Sequence, residues 1–114
     1  MAACGQKEET ANLRGGEYTT VQDGTKITLN FAADQDRAYG KIVNNYNAPY
    51  EISGSKIKFG PAAATMMMGI DENAMRVERE YFQFLGDVNS YKIAGNELLL
   101  QASGGKKMIF EKMN

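Results

Sequence analysis

The sequence predicts an α+β domain, an antiparallel sheet curved into a partly open barrel with one helix packed against it. Three observations carry this. Ile27, Leu29 and Phe31 alternate with polar residues, the period of a strand with one wet face. Two segments repeat one another: Tyr50-Glu-Ile-Ser-Gly54-Ser-Lys-Ile57-Lys-Phe59 and Tyr91-Lys-Ile-Ala-Gly95-Asn-Glu-Leu98-Leu-Leu100. Each reads as a strand, a tight turn at glycine and a returning strand with one buried face, so the two are halves of one sheet. Between them a single stretch, from Asp71 to Leu85, changes to helical spacing.

Taken in order, residues 1–16 are polar and low in large apolar groups, which reads as a flexible tether ahead of one domain over residues 17–114. Glu17–Gln22 is a first strand. Asp23-Gly24 is a strong hairpin signal, and Lys26–Phe31 returns. Arg37–Val43 is a further strand, with Gly40 at a bulge or a close backbone approach. The run from Asn44 to Pro49 has turn chemistry, because Asn side chains bond their own backbone. Pro49 suits a sheet edge or a strand start.

Asp71 is the predicted N-cap of a helix over Glu72–Leu85 that stops before Gly86. At about a hundred degrees per residue, Ala74, Met75, Val77, Tyr81, Phe82, Phe84 and Leu85 share one side. Glu72, Arg76, Arg79, Glu80 and Gln83 share the other. Glu78 is the exception, an acid projected into the apolar arc. The last strand, Lys106–Lys112, follows a Ser-Gly-Gly turn.

The totals narrow the chemistry. The chain has 114 residues and a net charge of -1, so no basic field invites nucleic acid. There is no histidine, which removes the commonest general base and transition-metal ligand. The one cysteine, Cys4, leaves no internal disulfide and no multi-cysteine metal site. Serines and threonines lack a base, the acids stand mostly at turns and caps, and no phosphate loop has a strand-then-helix setting. The expectation is a protein that is not an enzyme and needs no cofactor or metal.

In its order of motifs the chain resembles the META domain family, which includes the HslJ-like heat-shock lipoproteins. The resemblance covers about Lys26–Phe110. It rests on the strand Ile27-Thr-Leu-Asn-Phe31, Gly40 before the Asn-rich turn Val43-Asn-Asn-Tyr-Asn-Ala-Pro-Tyr50, and the hairpin ending Ile57-Lys-Phe59-Gly. It continues through Ala64-Thr65-Met66-Met67-Met68 and the helix pattern Glu78-x-x-Tyr81-x-x-x-Leu85, leading to Val88-x-x-Tyr91-x-Ile93. Two cysteines common in the family correspond to Asn44 and Gly69 here, and an arginine corresponds to Met66, so roles of those groups do not carry over. The resemblance implies the same curved sheet and helix, a bacterial envelope address and a link to stress.

Candidate functional residues follow. Met-Ala-Ala-Cys4 looks like the end of a lipoprotein signal, with Cys4 the lipidation site and Gly5 favouring the outer membrane. Met66, Met67 and Met68 offer thioethers, but fit better as gap fillers between sheet and helix. Asn45 and Thr65 stand in two of the blocks that carry the resemblance. Glu78 requires partners among backbone N–H groups, a Tyr hydroxyl or Arg37, and is either a structural acid or a functional one.

Two functions are expected from these features. The first is a non-enzymatic envelope lipoprotein, held on the membrane through Cys4. It would act by contact with an envelope protein in stress resistance or secretion assembly, docking at Pro49–Ile52 or at the open mouth of the sheet. The alternative is a module that binds a small apolar ligand between sheet and helix, lined by Met66–Met68, Phe59, Phe82 and Tyr91.

Overall fold

The computed structural model of the chain describes residues 13–65 and 71–113. Among the described residues, nine strands and one long helix follow in the order β1 (Glu17–Gln22), β2 (Thr25–Phe31), β3 (Arg37–Lys41), β4 (Asn45–Ser53), β5 (Lys56–Phe59), β6 (Ala63–Ala64), α1 (Glu72–Asp87), β7 (Val88–Ala94), β8 (Glu97–Ala102) and β9 (Lys107–Lys112). The sheet order is β5-β4-β3-β2-β1-β9-β8-β7, with β6 beside β4, and the paired strands are antiparallel. The two end strands approach each other, and the Tyr91 N–H donates to the Ser55 carbonyl at 3.0 Å. The sheet is therefore nearly closed into a barrel, and α1 packs against β2, β5 and β8.

The turns are where local chemistry puts them. Asp23 and Gly24 both have positive φ, 50° and 78°, the backbone that a two-residue hairpin matched to strand twist demands. The two repeats form the hairpins β4–β5 and β7–β8, each turning at a positive-φ glycine, Gly54 and Gly95. They supply the two ends of the sheet and meet at its seam. Within β2 the alternation is strict: Ile27, Leu29 and Phe31 are buried, and they join Tyr18, Leu98, Leu100 and Phe110 in one core.

The helix starts as expected. The Asp71 carboxylate accepts the N–H groups of Asn73 at 2.9 Å and Ala74 at 3.4 Å, satisfying donors that have no partner within the helix. Val77, Tyr81, Phe84 and Leu85 are buried, while Phe82 is only partly so. The expected stop before Gly86 is corrected: α1 runs to Asp87 and passes directly into β7, with the Val88 N–H bonded to the Leu85 carbonyl. Gly86 lies inside the helix and adopts no left-handed cap.

Two other boundaries move. The Asn-rich run is not a turn to Pro49. Asn45 to Pro49 lie in β4, paired residue by residue with Lys41 back to Arg37, and the turn contracts to residues 42–44. Strand pairing with β3 and β6 overrides the local preference of asparagine. The expected tether is also too long. Leu13 is fully buried, and the Gly15 N–H and Gly16 carbonyl exchange 2.9 Å hydrogen bonds with Phe31. Arg14 pairs with Asp36. Residues 13–16 thus belong to the domain.

Candidate functional site

Glu78 is the centre of a polar latch between helix and sheet. Its Oε2 accepts the backbone N–H groups of Val43 at 3.0 Å and Asn44 at 2.7 Å, and its Oε1 accepts the Asn44 side-chain amide at 3.0 Å. Asn44 is a buried polar residue and passes the chain of bonds on, its Oδ1 accepting the Thr65 hydroxyl at 3.2 Å. The Thr65 N–H donates to the Asn45 carbonyl at 3.0 Å. The acid projected from an apolar arc is thus satisfied by the turn it faces. Charge-assisted bonds to backbone donors are the strong kind, and here they fix how α1 meets the β3–β4 turn.

Of the sequence candidates, the structure therefore brings together Glu78 and Thr65. The joining residue is Asn44 rather than Asn45, which is exposed in β4 and takes part through its main chain. Two backbone N–H groups and the Asn44 side-chain amide are the partners of Glu78. Arg37 instead donates to Asn47 Oδ1 at 2.6 Å. Cys4 and Met66, Met67 and Met68 lie outside the described residues.

A second polar contact was missed by sequence reasoning. The Tyr46 hydroxyl donates to the Thr28 carbonyl at 2.7 Å and lies 2.7 Å from the Tyr81 hydroxyl. With the Tyr46 proton committed to Thr28, Tyr81 is the donor between the rings. Burial pushes both phenols up from their ordinary range. Gly40 makes room for this: it is the β3 residue opposite Tyr46, and a Cβ there would overlap the Thr28 carbonyl and meet the Tyr46 ring at 3.0 Å. The signal available in the sequence was the glycine, whose expected close approach is the one observed.

Aromatic rings occupy the space beneath α1. Tyr46 packs edge-on against Tyr81 and Phe82 at 5.5 and 5.4 Å between ring centroids, and Tyr81 against Phe110 at 6.4 Å. Phe59 and Tyr91, expected to line a ligand space, are buried in this common core. The described residues contain no group of three His, Cys, Asp or Glu able to hold a metal.

Several surface concavities remain. One of about 700 Å³ lies at the seam of the sheet, between Lys56, Ile57 and Lys58 of the β4–β5 hairpin and Asn89 and Ser90 of β7. Glu51, Ile52 and Ser53 of β4 and Asp36 complete its lining. Pairing between β7 and β8 slips between Val88 and Ser90, leaving Asn89 as an extra residue at the groove. Bulges of this kind re-aim a side chain and interrupt pairing. A smaller cleft of about 310 Å³ lies beside α1.

This fold, a nearly closed antiparallel barrel with one helix latched to it, is shared with known proteins. The META domain model matches residues 9–114, and the chain belongs to the META domain family. The NMR structure of a protein from Burkholderia xenovorans is similar over 94% of this chain and 88% of its own, with a TM-score of 0.74 and 18% identity. A second NMR structure is similar over 88% of this chain and 91% of its own, with a TM-score of 0.67 and 14% identity. No curated protein sequence matches the chain.

Proposed function

We propose that the chain is the folded part of a non-enzymatic envelope lipoprotein. A lipid on Cys4 anchors it in the outer membrane, and it acts by contact with an envelope protein in stress resistance or secretion assembly. The observation that carries the contact reading is the seam groove. In the β4–β5 hairpin, the two-residue turn directs the Lys56 and Lys58 backbone groups to β4, so those of Ile57 point toward β7. The strands are joined at Tyr91 and Ser55, and beyond that bond the groove opens. An extended segment of a partner protein fits such a place, with main-chain bonds for affinity and side-chain contacts for specificity. The site includes Glu51 and Ile52, part of the stretch that the sequence offers as a docking edge.

The experiment is site-specific photo-crosslinking in cells that express the native gene with its own leader. Probes at Lys58 or Asn89 should yield one discrete adduct, and a probe at Ile109, exposed on β9, should not. Equal labelling from both faces refutes the groove as the contact. Fractionation of the same cells tests the address: Cys4→Ser should leave the outer-membrane fraction.

A second reading, an apolar-ligand module, has its own support in the cleft beside α1. It lies at the edge of the helix rather than among Phe59, Phe82 and Tyr91.

A further inference from the structure

We infer that the cleft beside α1 is a binding site for a single-chain anionic amphiphile, of which a medium-chain fatty acid is the simplest. The inference rests on the apolar-ligand reading and gives it a site and a charge. Ile27, Val77, Tyr81, Phe84 and Met108 form the apolar wall and floor. Tyr81 adds only ring surface, because its hydroxyl is bonded to Tyr46 on the far side. Met108, only partly buried, is the wall that solvent reaches, and Phe84 lies buried behind it.

The rim carries the selectivity. The turn Ser103–Gly105, with Gly104 and Gly105 both at positive φ, delivers Lys106 and Lys107 to the mouth. Both lysines are exposed, and among the described residues neither enters an ion pair. Glu80 also stands on the rim, but both its oxygens accept from Arg76, at 3.1 and 3.2 Å. Gln22 at the rim is neutral. The mouth therefore presents two uncommitted cations over an apolar slot, the complement of a carboxylate or sulfate head on an alkyl chain. The volume, about 310 Å³, is at the small end of ligand sites, which selects one short chain over a branched or two-chain lipid.

The test is titration of the isotopically labelled chain with decanoate, decanol and decylammonium, each below its aggregation threshold, followed by NMR and calorimetry. Decanoate should saturate one site and shift Val77, Phe84 and Met108. It should bind at least tenfold more tightly than decylammonium, and the order should reverse in Lys106→Glu/Lys107→Glu, whose exposed positions leave the fold intact. Met108→Trp, filling the slot from its partly open wall, should abolish binding of all three with the urea midpoint retained. Binding of decanol and decylammonium as tight as that of decanoate overturns the anionic selectivity while leaving an apolar site. Shifts confined to the lysines, or no saturation by any of the three, overturn the site itself.

Discussion

The Glu78 carboxylate on α1 holds the Asn44 backbone N–H at 2.7 Å and the Asn44 side-chain amide at 3.0 Å, so one acid reads both ends of one residue in the β3–β4 turn. This joins residues 34 apart in sequence. It is the polar counterpart of the apolar contact that Val77, Tyr81 and Leu85 make with the sheet, and it sets the rotation of the helix about its axis. An acid in this position serves orientation, since its donors are all committed.

Glu78→Gln tests that role. The amide has one acceptor oxygen, so its NH2 must face either the two backbone donors or the Asn44 amide. Donor then meets donor at one end, and a loss of roughly 1–3 kcal/mol is expected. Glu78→Ala, which leaves all the donors without their carboxylate, should lose more. Urea unfolding followed by circular dichroism reads both. If both variants unfold within about 0.5 kcal/mol of the parent, the latch does not position the helix.

Two glycine substitutions should act in opposite directions. Gly40→Ala drives a Cβ into the Thr28 carbonyl and against the Tyr46 ring, which must displace the Tyr46 hydroxyl from its acceptor. A cost of about 1–3 kcal/mol is expected, as for overpacking elsewhere. Gly86 is helical, and a Cβ added there meets nothing within 4 Å. Gly86→Ala should therefore gain about 0.4–1 kcal/mol. Thermal unfolding of the pair checks the sign of each, and a stabilised Gly40→Ala would show that β2 and β3 are looser than their contact implies.

Much of this was legible in the sequence because short-range chemistry decided it. Asp23-Gly24, the repeated glycine hairpins and the Asp71 cap each act within a few residues, and no distant contact competes with them. The same holds for Glu78, whose helical position alone announced a need for partners. Legibility failed where tertiary pairing overrules local preference. Asn45 and Asn47 look like turn residues, yet β3 lies along them on one side and β6 on the other. That Asn44, beside the candidate Asn45, meets Glu78 was hidden for the same reason, since a strand beginning at Asn45 leaves Asn44 as the residue turned to Glu78. The Tyr46–Tyr81 bond joins two residues that no local pattern connects. Gly86 was misread because a glycine near a helix end is usually a left-handed cap, whereas here the chain needs no reversal before β7.

The docked position of Leu13 makes a further prediction. A polar run with one leucine reads as tether, yet that leucine is fully buried and the following glycines bond to Phe31. Leu13→Ala should cost about 2–5 kcal/mol, as for other buried leucines. No loss in Leu13→Ala would return residues 13–16 to the tether.

The buried tyrosines predict an alkaline limit to stability. Burial raises the Tyr46 and Tyr81 phenols; the Tyr81 hydrogen bond opposes this at Tyr46, while the Tyr46 contact adds to it at Tyr81. In the unfolded chain both titrate near the ordinary value of about 10. Below that pH both states hold both protons and there is no linkage. Above it the unfolded chain releases protons that the folded protein keeps, so the unfolded state binds fewer protons and stability falls as pH rises. The slope is at most about 1.4 kcal/mol per pH unit for each tyrosine, beginning near the unfolded value and continuing toward the raised folded values. Urea midpoints between pH 8 and 11 should therefore be level at first and then drop. Tyr46→Phe/Tyr81→Phe should drop less steeply over the same interval, even though it starts from lower stability for want of the hydroxyl bonds. Every other group is common to both proteins, so the difference between the two slopes isolates the tyrosine pair. Parallel curves for parent and double variant would mean that the two hydroxyls are not held away from water.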